Sequence, residues 1–151
     1  MKNKVFFTFV LVLWLLGGLI FKYDSSYYEL LNVPDFFINP TINSFISIIV
    51  YFLITYSITN IKKDTRILEN NDYFFILIIN YLANMIFPLM FYNLRSPLLG
   101  FIMNLIVLIS TYYLLIETKK LNRKSYYFLI PYLVFSIYSF ITSLFIWILN
   151  F

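Results

Sequence analysis

Five apolar stretches, residues 5–21, 40–61, 73–92, 98–116 and 126–149, contain no Asp, Glu, Lys or Arg. At about 1.5 Å of rise per helical residue, a hydrocarbon core of roughly 30 Å needs about 20 such residues. The runs match that length, and a water-soluble domain of 151 residues could not bury all of them. With 62% hydrophobic and 12% charged residues, the composition excludes disorder and argues against an ordinary soluble fold. The expected fold is an all-α membrane protein, a bundle of five transmembrane helices forming one domain over residues 1–151.

Charge placement sets the expected orientation. Lys2, Lys4, Lys62, Lys63, Arg66, Lys119, Lys120, Arg123 and Lys124 fall on one side of such a bundle, and only Lys22 and Arg95 on the other. The positive-inside rule then puts the N-terminus and both basic loops in the cytoplasm and the C-terminus outside. Acidic Asp24, Glu29 and Asp35 share the outer loop 22–39. Lys2 and Lys4 before an apolar run resemble a signal peptide, but residues 21–26 offer no A-x-A-like cleavage site, so 5–21 reads as a retained helix. Little Ala and abundant Asn, Ile, Phe, Tyr and Lys suggest an AT-rich bacterial genome and a bacterial cytoplasmic membrane. With no Cys and no His, disulfides, thiolate chemistry and a His-based relay or metal site are not expected.

Two helix starts are written clearly. Asn39-Pro40 and Ser96-Pro97 each place a capping side chain before a proline suited to the first helical turn. The turn 93–97 is short enough to make the third and fourth spans antiparallel neighbours, and 62–72 and 117–125 read as compact cytoplasmic turns. The loop 22–39 is longer and aromatic, with Tyr23, Tyr27, Tyr28, Phe36 and Phe37. Those rings suit the membrane interface, and they would equally suit a lid over a cavity.

Polar residues inside the spans carry the next signal. Asn80 and Asn84 are four apart, and Phe87 and Phe91 continue the same helical stripe beside Tyr81. An amide facing hydrocarbon leaves its donors and acceptors unmet at a cost of several kcal/mol, so this face should turn inward. It serves either helix–helix hydrogen bonding or a ligand site. Asn104 is a candidate partner in both cases. On the last span Tyr132, Phe135, Ser136, Ser139, Thr142 and Ser143 recur at three- and four-residue steps, a stripe whose small hydroxyl residues permit close packing. Pro131 removes a backbone donor and should loosen the start of that helix. Gly17-Gly18 is a close-packing notch in the first span.

Three segments together resemble the TspO/MBR family, the translocator proteins also known as peripheral-type benzodiazepine receptors or tryptophan-rich sensory proteins. Asn80-Tyr81-x-x-Asn84-x-x-Phe87-x-x-x-Phe91 looks like the family's third-helix signature. Pro131-Tyr132-Leu133-Val134-Phe135, followed by Ser139 and Asn150, is similar to its fifth-helix motif, Pro-Tyr-x-x-Trp and a closing Asn. Tyr28, Pro34, Asn39-Pro40 and Phe45 resemble its first loop and second-helix entry. The resemblance implies a five-helix bundle, often dimeric, with an apolar pocket closed by the first loop, binding protoporphyrin IX or a haem-like tetrapyrrole and, in some members, sterols or synthetic ligands. Carried over by position, the ligand-binding residues would be Tyr28, Pro34, Phe45, Tyr51, Asn80, Asn84, Phe87, Phe91, Asn104, Tyr132, Phe135 and Ser139. Rings would stack on a flat ligand while amides and hydroxyls orient it.

The chain departs from the family in its indoles. Trp14 and Trp147 fall outside the family's pocket positions, Phe135 stands where the fifth-helix Trp is expected, and Tyr51 is the nearest ring to the second-helix one. Light-dependent porphyrin breakdown, which some bacterial members perform through those indoles, is therefore disfavoured. The leading expectation is a membrane receptor or sensor for a tetrapyrrole-like or lipidic ligand, with no cofactor required. The alternative is passive transport of an apolar metabolite, alone or as an accessory subunit; no ionisable group inside the spans marks an ion pathway. The expected partners are the bilayer, a hydrophobic small molecule and a second copy of the chain, with no nucleic acid.

Overall fold

The computed structural model describes residues 2–21, 24–64 and 70–151 and, among these, contains helices and no strand. Lys22, Tyr23 and Arg66, used above for charge and loop character, lie outside the described residues. In chain order the helices are α1 (Lys2–Ile20), α2 (Ser25–Glu29), α3 (Pro40–Asp64), α4 (Asn71–Pro88), α5 (Pro97–Leu121) and α6 (Arg123–Leu149). A π-helical turn, Leu89–Asn93, extends α4. Among the described residues, the segments Pro40–Lys62, Asn71–Asn93, Pro97–Leu121 and Arg123–Leu149 are long and apolar enough to cross a membrane. The apolar part of α1, Lys4–Ile20, is shorter. At about 1.5 Å per residue it spans roughly 25 Å.

Helix ends follow local chemistry. Ser96 caps α5 by accepting from the Leu99 N–H at 3.3 Å, with Pro97 in the first turn. Asn39 Oδ1 accepts from the Thr41 N–H at 2.9 Å at the start of α3, and Asn70 Oδ1 from the Tyr73 N–H at 3.0 Å at the start of α4. The turn expected over 117–125 contracts to one residue. Asn122 leaves helical geometry, gives its N–H to the Thr118 carbonyl, and accepts from the Ser125 N–H at 2.8 Å, so it ends α5 and starts α6. Pro131 does not interrupt α6, which runs unbroken from Arg123 to Leu149.

The long helices close into a ring: α1 packs on α3 and α4, α3 on α6, α6 on α5, and α5 on α4. The exterior is apolar; Phe45, Ile49, Phe75 and Val134 are all more than 60% exposed, an outer surface suited to acyl chains rather than water. The main core holds Trp14, Ile54, Ile61, Tyr73, Leu114, Leu129 and Tyr132. A second, smaller core of Tyr27, Phe91 and Ile146 sits under the aromatic loop. At the opposite, basic end, Ser57 and Ser125, both fully buried, each donate a hydroxyl to the other's backbone carbonyl, at 3.2 and 3.0 Å. This reciprocal pair fixes α3 against α6 and leaves no spare donor.

Gly17 is where α1 meets α4. A Cβ there would lie 3.1 Å from Met85 Cα and 3.2 Å from its carbonyl oxygen, whereas one on Gly18 would meet nothing within 4 Å. Gly17→Leu should therefore lower stability in micelles by about 1–3 kcal/mol through overpacking. Gly18→Leu, on the exposed face, should change it by less than about 0.5 kcal/mol. Thermal loss of helical circular dichroism for the two variants measures the contrast.

Candidate functional site

The amide stripe of α4 does point inward. Asn80 is fully buried, and its Nδ2 donates to Ser110 Oγ at 2.8 Å, Thr111 Oγ1 at 2.9 Å and the Val107 carbonyl at 3.3 Å, all on α5. Its Oδ1 accepts from the Tyr132 hydroxyl of α6 at 2.7 Å. Tyr132 in turn accepts from Asn84 Nδ2 at 2.7 Å, and the same amide donates to the Asn80 carbonyl at 2.8 Å. Two amides and one phenol thus join three helices, with both ends of the Asn80 amide, the Asn84 Nδ2 and the Tyr132 hydroxyl paired inside the protein, as a lipid-embedded interior requires.

Asn80 and Asn84 divide the two roles left open by their spacing. Asn80 is engaged in helix pairing and is not among the residues lining the cavity that Asn84 reaches. Asn84, one turn nearer the loop, borders a cavity of about 120 Å³. Tyr132 forms its floor; Phe87 and Phe91, stacked at 5.5 Å with planes 9° apart, form a flat aromatic wall. Phe91 can lie there because Gly100 faces it; a Cβ on Gly100 would fall 2.5 Å from the ring. Pro88, also on the wall, has no N–H for the helical ladder, and the backbone widens into the π-helical turn that carries Phe91.

The structure brings Tyr28, Tyr51, Asn104, Phe135 and Ser139 around the same cavity as Asn84, Phe87, Phe91 and Tyr132. Three residues named from sequence stand apart. Asn80 lies behind the wall; Pro34 is buried in the loop, its carbonyl accepting from the Phe37 N–H at 2.9 Å. Phe45 is 65% exposed on the outer surface of α3 and does not reach the cavity. The reason is helical phase: Asn43, Ser47 and Tyr51 line the cavity at four-residue steps, and Phe45 falls between them on the opposite face. Of that stripe the sequence pointed to Tyr51 alone; Asn43 and Ser47 share its face at four-residue spacing, and Ser136, Thr142 and Ser143, whose spacing suggested packing, border the cavity as well. Asn104 does not pair with either α4 amide; its Nδ2 donates to the Ser139 carbonyl at 3.3 Å.

Neither indole lines the cavity. Trp14 is buried one ring behind it, stacked on Tyr51 at 5.6 Å and edge-on to Tyr132 at 6.4 Å. Trp147 stacks on Phe101 at 5.2 Å.

The loop closes the cavity's end. Its short helix α2 is capped by Asp24, and Tyr28 from α2 contacts Phe37, Phe91 and Tyr92 at 5.4–5.6 Å. Tyr92 donates its hydroxyl to Tyr28 Oη at 3.2 Å. Two latches hold the loop to α6. Asn32 N–H donates to Asn150 Oδ1 at 2.9 Å while Asn150 Nδ2 returns a bond to the Asn32 carbonyl at 2.8 Å. The Ile38 N–H donates to the Tyr138 hydroxyl at 2.9 Å. A third contact, Arg95 to Asp24 at 3.1 Å, reaches the turn before α5. Tyr138 and Phe135 also border an apolar groove between α3 and α6, with Ile49, Leu53 and Val134, so these two rings separate the cavity from a lipid-facing surface.

Removing the central hydroxyl tests the network. Tyr132→Phe deprives Asn80 Oδ1 of its donor and Asn84 of an acceptor, and should cost about 1–3 kcal/mol of stability in micelles. Combined with Asn80→Leu, which empties the other half of the bond, the two costs should fall well short of additive. Asp24 gives a pH test. The Ser26 hydroxyl, and then Arg95 and the Tyr27 N–H, hold its carboxyl below the ordinary value of 3.8. Asp24's own share in holding the loop is therefore fully present above the ordinary 3.8 and is lost as pH falls through the lowered value. Limited proteolysis should find Asp24→Asn loosened at pH 7 to the degree that wild type reaches, by hydrogen exchange of 24–31, only in acid.

The family model of the TspO/MBR family matches residues 6–148. An uncharacterized membrane protein of Bacillus subtilis (strain 168), YtaB, is 28% identical over 133 residues, covering 88% of this chain and 86% of its own length. With apolar helices arranged in a closed ring and a match running through nearly every one of them, the chain is an integral membrane protein of the TspO/MBR family.

Proposed function

We propose that this protein is a TspO-type membrane receptor whose intra-bundle cavity takes a flat, hydrophobic ligand of the tetrapyrrole or lipidic class. In this reading α1 crosses the bilayer as a fifth span, the basic end faces the cytoplasm and the aromatic loop lies outside. The observation that carries it is the juxtaposition of the Phe87–Phe91 stack with Asn84 and Tyr132 beneath a latched loop. Parallel rings offer a planar surface, and a few oriented polar groups fix a guest upon it.

Size constrains how such a site works. Cavities that enclose drug-sized ligands measure roughly 300–1,000 Å³, and this one measures about 120 Å³. A macrocycle enters only when the loop rises and the Tyr28, Phe91 and Tyr92 rings part. The latches suit that motion: the Asp24–Arg95 pair is exposed and the Asn32–Asn150 bonds are near the surface. With neither His nor Cys, the chain offers haem iron no imidazole or thiolate, and the axial ligands left to it at this cavity are tyrosine phenols.

Trp14, touching both Tyr51 and Tyr132, is placed to report occupancy. Protoporphyrin IX should quench its fluorescence saturably in micelles. An Asn84→Ala, Phe87→Ala double variant should weaken binding about tenfold or more, from one hydrogen bond and one ring contact. If variant and wild type titrate alike, the ligand sits elsewhere.

A further inference from the structure

The polar groups around the cavity are unevenly occupied. Ser47, Ser136 and Ser143 donate their hydroxyls to the Asn43, Leu133 and Phe140 carbonyls of their own helices. Asn84 and Tyr132 are joined to each other, and Asn104 is tied to Ser139. Two oxygens remain. Asn43 Oδ1 on α3 and Thr142 Oγ1 on α6 are buried without a hydrogen-bond partner among the described residues, and both side chains border the cavity. Thr142 is only 6% exposed. Folded proteins leave few such atoms, because a buried acceptor without a donor forfeits its hydration for nothing.

Charge is absent from the same wall. Among the described residues, no Lys, Arg, Asp or Glu lines the cavity. Arg95, at the loop end of the bundle, is engaged by Asp24. A carboxylate brought inside would stand unpaired in a low-dielectric space.

We infer that the part of a ligand entering this cavity is uncharged and carries an O–H or N–H donor for Asn43 Oδ1, while the Thr142 hydroxyl either shares in accepting it or donates to an oxygen of the ligand. The inference rests on the receptor reading above and specifies the chemistry of its ligand. A water molecule placed there would meet the same oxygens, and a ligand that displaces it must reproduce the bond or lose affinity. For a porphyrin, the pyrrole N–H face goes in and free propionates stay at the rim.

Three probes of one shape separate the possibilities: 2-naphthol, 2-methoxynaphthalene and 2-naphthoate, titrated calorimetrically into the full chain in micelles at pH 7.5, with partition into empty micelles subtracted. The donor-bearing naphthol should bind about tenfold tighter than its methyl ether, the value of one buried hydrogen bond. The naphthoate anion should show no heat beyond that of empty micelles. In an Asn43→Leu, Thr142→Val variant the preference for naphthol over the ether should collapse. Equal affinity for naphthol and ether in wild type, or binding of naphthoate as tight as naphthol, overturns the inference while leaving a hydrophobic site standing. Failure of all three probes to bind wild type overturns the inference together with the cavity as a ligand site. The wild-type comparison decides even if the variant does not fold.

Discussion

The hydrogen bond between Tyr132 and the α4 amides is the contact on which the rest of the architecture depends. Inside a bilayer no water stands ready to satisfy a polar side chain, so each buried amide must find its partner within the protein. Asn80 and Asn84 meet that demand by drawing α5 and α6 to α4, and the phenol completes the triangle by donating to one amide and accepting from the other. Once this knot is tied, the helical phase of α4 is set. Phe87 and Phe91 must then lie one and two turns further along the same face, stacked beneath the loop. The cavity is thus a consequence of polar satisfaction one layer deeper. Ligand chemistry and helix packing share a single stripe, with the division falling between Asn80 and Asn84.

Much of this was legible in the sequence because lipid simplifies the code. Uncharged runs of span length, Asn-Pro and Ser-Pro starts, and amides at four-residue spacing each have a direct physical reading, and the helices, caps and inward stripe follow them. What escaped was phase and context. Phe45 carries the chemistry of a binding residue but sits two positions from Asn43 and Ser47, on the outer face. The hydroxyl stripe of α6 could equally have meant close packing. Only its neighbours show that Ser136, Thr142 and Ser143 border a space while Ser125, on the same helix, closes one by bonding back to Ser57. The contraction of the 117–125 turn was hidden for a different reason: charged residues read as loop, yet Lys119 and Lys120 extend α5 because their side chains reach past the apolar zone.

The two ends of the bundle are built to different standards. At the basic end Ser57 and Ser125 are wholly buried, and Ile61, Tyr73 and Leu129 pack around them in the main core. Opening that end exposes backbone carbonyls to lipid. At the other end the contacts are between rings, which slide without stranding polar atoms, and the hydrogen bonds holding the loop are near water, which can replace them. On the proposed receptor reading, the loop end is therefore the less costly end to open.

Magnitudes support that asymmetry. Each hydrogen bond of the Asn32–Asn150 exchange and of the Ile38–Tyr138 latch contributes about 1 kcal/mol net, and the Asp24–Arg95 pair is exposed and screened. Releasing all of them costs a few kcal/mol. An aromatic guest that buries roughly 200 Å² of apolar surface recovers about 5 kcal/mol at 25 cal/mol per Å². The two quantities are close, so the loop is poised: firm enough to shield the rings from water when closed, and weak enough that stacking on Phe87 and Phe91 can hold it open. A molecule with less flat surface would not offset the latches, and one with a buried charge would lose more than stacking returns. On the proposed receptor reading, selectivity then resides as much in the energy needed to lift the loop as in the shape of the cavity beneath it.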